Sequence, residues 1–293
     1  HRKREVSSYG THTKYSYTKC VYISTFANQP ILTHTMKHIV LYLFIALGFI
    51  ACSKSQEDKL SEIREFEKSE KTGTSEGLAK LAKLHEAYGK EYKDEAANNY
   101  LYAAAQYYFY ENKNIEAIPL LSEYISRDDS SERFRNAAIN LAMLLGKATE
   151  FDKADELISE VLDKDLPTAA QWQDIIGLYE TKVKAEANLK PNDYERLAMA
   201  YTAVGRFSDA TKSLDAAISE FPKYENRGNL IYRAGFIGWE YLKDTEVATK
   251  YYNQFLSEYP SDPKANEVKQ ILKSGMLEMS DEAILEMLKG KTK

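Results

Sequence analysis

Covalent chemistry needs a nucleophile, a metal-ligand set or a pair of acids, and this chain is poor in the first two. Its 293 residues hold two cysteines, Cys20 and Cys52, and five histidines. Four of the histidines, His1, His12, His34 and His38, precede residue 51, so from residue 52 onward only Cys52 and His85 remain. That is too few for a disulfide, a Cys/His zinc site or a Ser-His-Asp relay of standard form. The stretch from Gly228 to Gly235 has glycines but no preceding strand pattern, so it shares only spacing with a phosphate-binding loop. Carboxylates are plentiful, and at helical spacing they fall on solvated faces; a glycosidase-like pair is the one acid–base arrangement left open. We therefore expect no metal and no cofactor, and an enzyme is the poorer hypothesis.

Charge narrows the partners. Residues 1–51 carry six Lys+Arg against one Asp+Glu, while 52–293 carry 33 against 43, a net of −10. An acidic body lacks the concentrated basic face that phosphate binding demands, so nucleic acid is not an expected partner. Aromatic residues are the other resource. The run Tyr107–Tyr110 covers more than a helical turn and so cannot face one core stripe. Either neighbours bury that helix on two sides, or Phe109 or Tyr110 anchors a peptide.

The elements that position these side chains are read as helices throughout, with no convincing strand. The clearest stretch is 191–224. Tyr194, Leu197, Ala198 and Tyr201 share one face at three- and four-residue steps, Gly205 breaks the helix, and Phe207, Ala210, Leu214, Ala217 and Ile218 share the next face up to Pro222. Small residues let the two backbones approach and large ones fill the rest. These positions resemble the tetratricopeptide repeat, whose unit is about 34 residues long. Tyr194, Leu197, Ala198, Tyr201, Gly205, Phe207, Ala210, Leu214, Ala217 and Pro222 all fall in its register.

The resemblance implies an all-α fold, a right-handed superhelical solenoid of helix hairpins. Two degenerate units, 98–131 and 135–168, precede the clear one, within a segment of N-terminal repeat-like helices over 75–168 that Ser75 is expected to open as a cap. Asn112 and Asn114 are expected to break the helix of the first unit. A linking helix over 169–190 carries Trp172, Ile175, Ile176, Tyr179 and Val183, and C-terminal repeats occupy 191–275, including a unit at 229–262. The alanines Ala210 and Ala248 stand 38 apart. That longer period resembles the repeats of periplasmic envelope proteins, the assembly lipoprotein of the outer-membrane β-barrel machinery and the Tol–Pal coordinator. A capping helix and tail, 276–293, would close the stack with Ile284 and Leu288.

The start of the chain reads as targeting information. Residues 1–35 show no period and read as an upstream segment translated in error, with a long leader as the alternative. Met36 opens a signal-like stretch over 36–51, with a basic Lys37 and an apolar run from Ile39 to Ile50. Phe49–Cys52 resembles a bacterial lipobox, which implies lipid attachment at Cys52 and a membrane anchor of several acyl chains. The Ser after Cys52 implies, by the same resemblance, the outer membrane, with its periplasmic or surface face open. Residues 52–74 read as a flexible tether holding Leu60, Ile63 and Phe66 in a short amphipathic stretch.

In the repeat family the first helix of each unit lines the concave side. Carried over by register, the candidate groove residues are Tyr102, Gln106, Phe109 and Tyr110 in the first unit and Asn136 and Met143 in the second. They are Asn192, Glu195, Met199 and Thr202 in the third, and Arg233, Ile237 and Tyr241 in the fourth. The expected function is a lipid-anchored scaffold of the bacterial cell envelope that binds a protein or peptide partner. The alternative is a glycan- or nutrient-binding accessory lipoprotein of an outer-membrane importer, although such proteins are Trp-rich and this chain has two, Trp172 and Trp239.

Overall fold

The computed structural model describes residues 54–127, 132–164 and 166–290. The upstream segment, the signal-like stretch and Cys52 lie outside them. Thirteen α-helices and no strand occur among the described residues. They are α1 Gln56–Glu67, α2 Ser75–Glu91, α3 Glu95–Tyr110, α4 Asn114–Arg127, α5 Glu132–Lys147, α6 Phe151–Lys164 and α7 Ala169–Lys184. There follow α8 Pro191–Ala203, α9 Phe207–Glu220, α10 Arg227–Phe236, α11 Thr245–Glu258, α12 Ala265–Ser274 and α13 Asp281–Gly290. Gln56–Lys293 forms one compact unit; most consecutive helices in it pack on one another, and α7 packs on α5 and α8.

Helix starts follow local chemistry. Asp94 accepts the Ala97 N–H at 2.7 Å ahead of α3, and Asp244 accepts from Glu246 and Val247 ahead of α11. Thr168 and Gln171 close a reciprocal box at the start of α7. Ahead of α2 the cap is Thr74, not Ser75: its hydroxyl accepts from Gly77 N at 3.0 Å.

The hairpin turns repeat one geometry. Asn112, Thr149, Glu186 and Gly205 follow α3, α5, α7 and α8, with φ of 57, 62, 49 and 77°. In each turn the N–H after the left-handed residue reaches back to close the helix: Lys113 to Tyr108 O, Glu150 to Leu145 O, Ala187 to Lys182 O and Arg206 to Tyr201 O, at 2.8–3.3 Å. The left-handed residue itself bonds the carbonyl three back, at Phe109, Gly146, Val183 and Thr202. Together these are the paired bonds of a Schellman turn. The sequence marked this feature clearly only at Gly205, where the residue type requires it.

The core is one continuous cluster from Ala82 to Met276, built from the small and large residues expected to interlock: Ala104, Leu121, Ala138, Ala154, Ile158, Ala198, Ala210, Leu214, Ala217 and Ala248 are all buried. A second, smaller cluster joins Ile63 of α1 to Tyr88 and Ala97. The expected tether is therefore folded from Gln56 onward. Ile63 is 2% exposed, and Glu70–Gly73 continue as a 3-10 turn into α2. On α2, Leu81 and Leu84 are half-buried and pack against this second cluster. Leu78 is 44% exposed, while Ala82, His85, Tyr88 and Gly89 are buried, because α1 and α3 cover that side. At the far end Ile284 packs against the core; the side chain of Leu288 lies outside the described residues.

Polar side chains tie alternate helices together at one period. Arg133 donates to Asn99 and Asn140 donates to Gln106 at 3.1 Å, both 34 residues apart, and Gln171 donates to Asn136 across 35. Further on Arg233 pairs with Glu195 across 38, and Lys264 with Asn229 across 35. Such links join α3, α5 and α7, and then α8, α10 and α12. Between the two rows sits α7, the odd helix in the 56 residues from Ala154 to Ala210. Helix α8 is fastened there by a buried ion pair, Lys182 to Asp193 at 2.7 Å. Arg196 reinforces it, bonding Asp155, Ser159 and the Tyr179 hydroxyl.

Candidate functional site

The residues expected to line a groove fall on α3, α5, α8 and α10 and on the turn that follows α10. The structure divides them by chemistry. The polar members bond within the fold, although the Gln106 Nε2 amide is buried without a partner. Gln106 accepts from Asn140, Asn136 from Gln171, Asn192 from the Tyr224 hydroxyl at 2.8 Å, and Glu195 from Arg233 at 2.9 Å. Thr202 turns its hydroxyl back onto Ala198 O at 2.8 Å. These residues align helix on helix rather than waiting for a ligand.

The apolar members fare differently. Tyr102 is half-buried, tilted against Tyr124 at 5.0 Å, with the Arg133 guanidinium 5.7 Å from its ring centre. Met143 and Met199 are half-buried against the core. Phe109 is half-buried and meets Tyr110 edge-on at 5.4 Å, and Tyr110 is 73% exposed. The run Tyr107–Tyr110 is thus split. Tyr108 belongs to the core and donates to Glu86 at 2.8 Å, while Tyr110 stands in solvent.

Ile237 is a correction. It is 3% exposed and belongs to the core, not to a groove. Ile237 falls three residues after Ala234 and so continues the buried face of Leu230, Ile231 and Ala234; a π-turn over Ile237–Tyr241 then follows, where Leu242 N bonds Ile237 O at 3.0 Å. Two glycines let α10 approach α11 here: a Cβ on Gly235 would stand 2.6 Å from the Tyr252 ring, and one on Gly238 would stand 2.9 Å from Ala248 N. With Leu230, Ile231, Ala234, Gly235 and Ile237 inward, the residue facing straight out is Phe236. Register alone aimed one residue too far.

Around Phe236 lies an aromatic cluster whose members the repeat register does not bring together. Phe236 meets Tyr241 at 6.0 Å and 82° and Trp239 at 6.5 Å and 88°. Tyr241 in turn stacks on Phe207 of α9 at 4.4 Å and 10°. Phe207, Phe236 and Trp239 are half-buried and Tyr241 is 45% exposed. Neither Phe236 nor Tyr241 packs against the main core. The available signal was the aromatic spacing at 236, 239 and 241 itself; what hid it was the π-turn, which no propensity announces.

Other titratable groups are structural. Burial pushes His85 below its usual range and outweighs the opposing Glu67 carboxylate 3.1 Å away. Its ring also stacks on Tyr100 at 4.6 Å. Burial raises Asp174 above the usual carboxylate range. No cluster of three or more His, Cys, Asp or Glu side chains suited to a metal occurs among the described residues. Comparison with known proteins matches no family model and finds no matching curated protein.

Proposed function

We propose that this chain is a tetratricopeptide-type scaffold that holds an extended segment of another protein against the outward face of α3, α5, α8 and α10. In this reading the hairpins wind into a right-handed solenoid with those helices on its inner curve, and Cys52 carries lipid that anchors the body in the bacterial cell envelope. A hairpin cannot bury both faces alone, so each stacks on the next and leaves a long curved surface. The ladder of side-chain bonds at 34–38 residues and the repeated Schellman turns support the repeat reading.

The observation that carries the binding reading is that large aromatics on this face are left out of the core. Tyr110 is 73% and Tyr241 45% exposed, and Tyr is a favoured anchor of protein interfaces. The test is in-cell photo-crosslinking from position 202 on the proposed face and position 212 on the solvent side of α9. A partner captured from 202, absent from 212, and lost in a folded Tyr110→Ala, Met199→Ala, Tyr241→Ala variant is the expected result. Equal capture from 212, or retention by the variant, defeats the groove reading.

A further inference from the structure

The cluster at the end of α10 has a shape that an apolar patch does not need. Phe236 faces outward, and the rings of Tyr241, which reaches Phe207 of α9, and of Trp239, which packs against the core, both stand near perpendicular to it. The stack of Phe207 on Tyr241 stiffens one wall. Glu240 lies between the two wall residues in sequence, one turn beyond Phe236, so its half-exposed carboxylate shares their face. Its nearest cation is Lys243 at 3.9 Å, a long contact, and Lys243 also reaches Asp281 at 3.4 Å.

We propose that this open box takes a single cationic side chain, lysine or arginine, from an extended basic segment lying on the face. The proposal rests on the groove reading and gives that groove its chemistry. A ring face attracts a cation through its quadrupole, and several faces around one carboxylate desolvate the cation while keeping it paired. Charge complementarity points the same way, since residues 52–293 carry a net of −10 and a basic segment is drawn to such a body. The π-turn has a use in this account. It places Tyr241 five residues after Phe236 yet beside it, where a regular helix would turn Tyr241 toward the core.

The test uses the full chain with its tryptophans labelled and two short peptides, one with a central lysine flanked by glycines and one with norleucine in its place. Trp172 is 6% exposed and serves as an internal reference for Trp239. The lysine peptide should shift the Trp239 indole signal and leave Trp172 still. Norleucine should weaken binding by about 3- to 30-fold, the range expected when a cation–π contact is lost. Glu240→Gln and Tyr241→Leu should each weaken the lysine peptide at least 3-fold with an unchanged unfolding midpoint. Equal binding of the norleucine peptide overturns the cation and leaves an apolar groove. No movement of Trp239 with either peptide overturns the box, and the crosslinks from position 202 then decide the groove separately.

Discussion

Thr149→Gly should stabilise this protein, although it deletes a side chain and adds a glycine. Thr149 occupies the left-handed position after α5 with φ of 62°, and it is exposed. A left-handed conformation costs an L-residue about 1–2 kcal/mol, and a β-branched side chain sits at the upper end. Glycine removes that strain but loses about 0.5–1 kcal/mol through its freer unfolded chain. The net is a gain of about 0.5–1 kcal/mol, which for a body of this size raises Tm by about 2–4 °C per kcal/mol. The mirror experiment is Gly205→Ala. Position 205 has φ of 77° and open space around an added Cβ, so any loss there is conformational and not steric. It should cost about 1 kcal/mol. Urea unfolding of the three proteins, compared at equal m-values, reads both. A lowered midpoint in Thr149→Gly, or an unchanged one in Gly205→Ala, would refute the argument that these turns share one strained geometry.

Other outcomes follow from the same physics. Tyr252 is fully buried with its hydroxyl unpartnered, so Tyr252→Phe should leave stability unchanged or raise it by about 1 kcal/mol in urea unfolding; a loss of that size would mean the hydroxyl is bonded after all. Asp193→Ala strands the buried Lys182 and should cost about 3–5 kcal/mol, while Lys182→Met with Asp193→Leu should recover most of it. If the double variant is as unstable as the single, charge is not the cause. Because burial lowers the pKa of His85, the unfolded chain binds the proton more readily. Its contribution should be complete above about pH 6.5 and fade as pH falls through the lower folded value; His85→Gln should flatten that part of the stability profile. Cells fed radioactive fatty acid should label the wild type and not Cys52→Ala, and label retained in the variant would remove the anchor from the proposal.

Helical content, the hairpin at 191–224 and most of the interlocking core were legible in the sequence, because three- and four-residue apolar spacing and small-against-large pairing are local patterns. Ala198, Ala210, Leu214 and Ala217 sit where that pattern put them, at 0% exposure. Gly205 announced its turn, and the Asn112 break was legible too. Thr149 and Glu186 adopt the same backbone without announcing it, because the pull of the packed hairpin overrides residue preference.

What only the tertiary structure decided is which faces remain free. His85 is buried where Glu67 at the end of α1 reaches its ring, and Ile63 reads as part of a tether until Tyr88 and Ala97 offer it a pocket. Gln106, Asn136, Glu195 and Arg233 lie at groove positions by register, yet their partners are 34–38 residues away, beyond any local pattern. The π-turn after α10 then leaves Tyr241 beside Phe236 at the surface, where a regular helix would turn it inward. Local spacing determines which residues share a helix face; the packing of neighbouring helices determines whether that face is core or exposed surface.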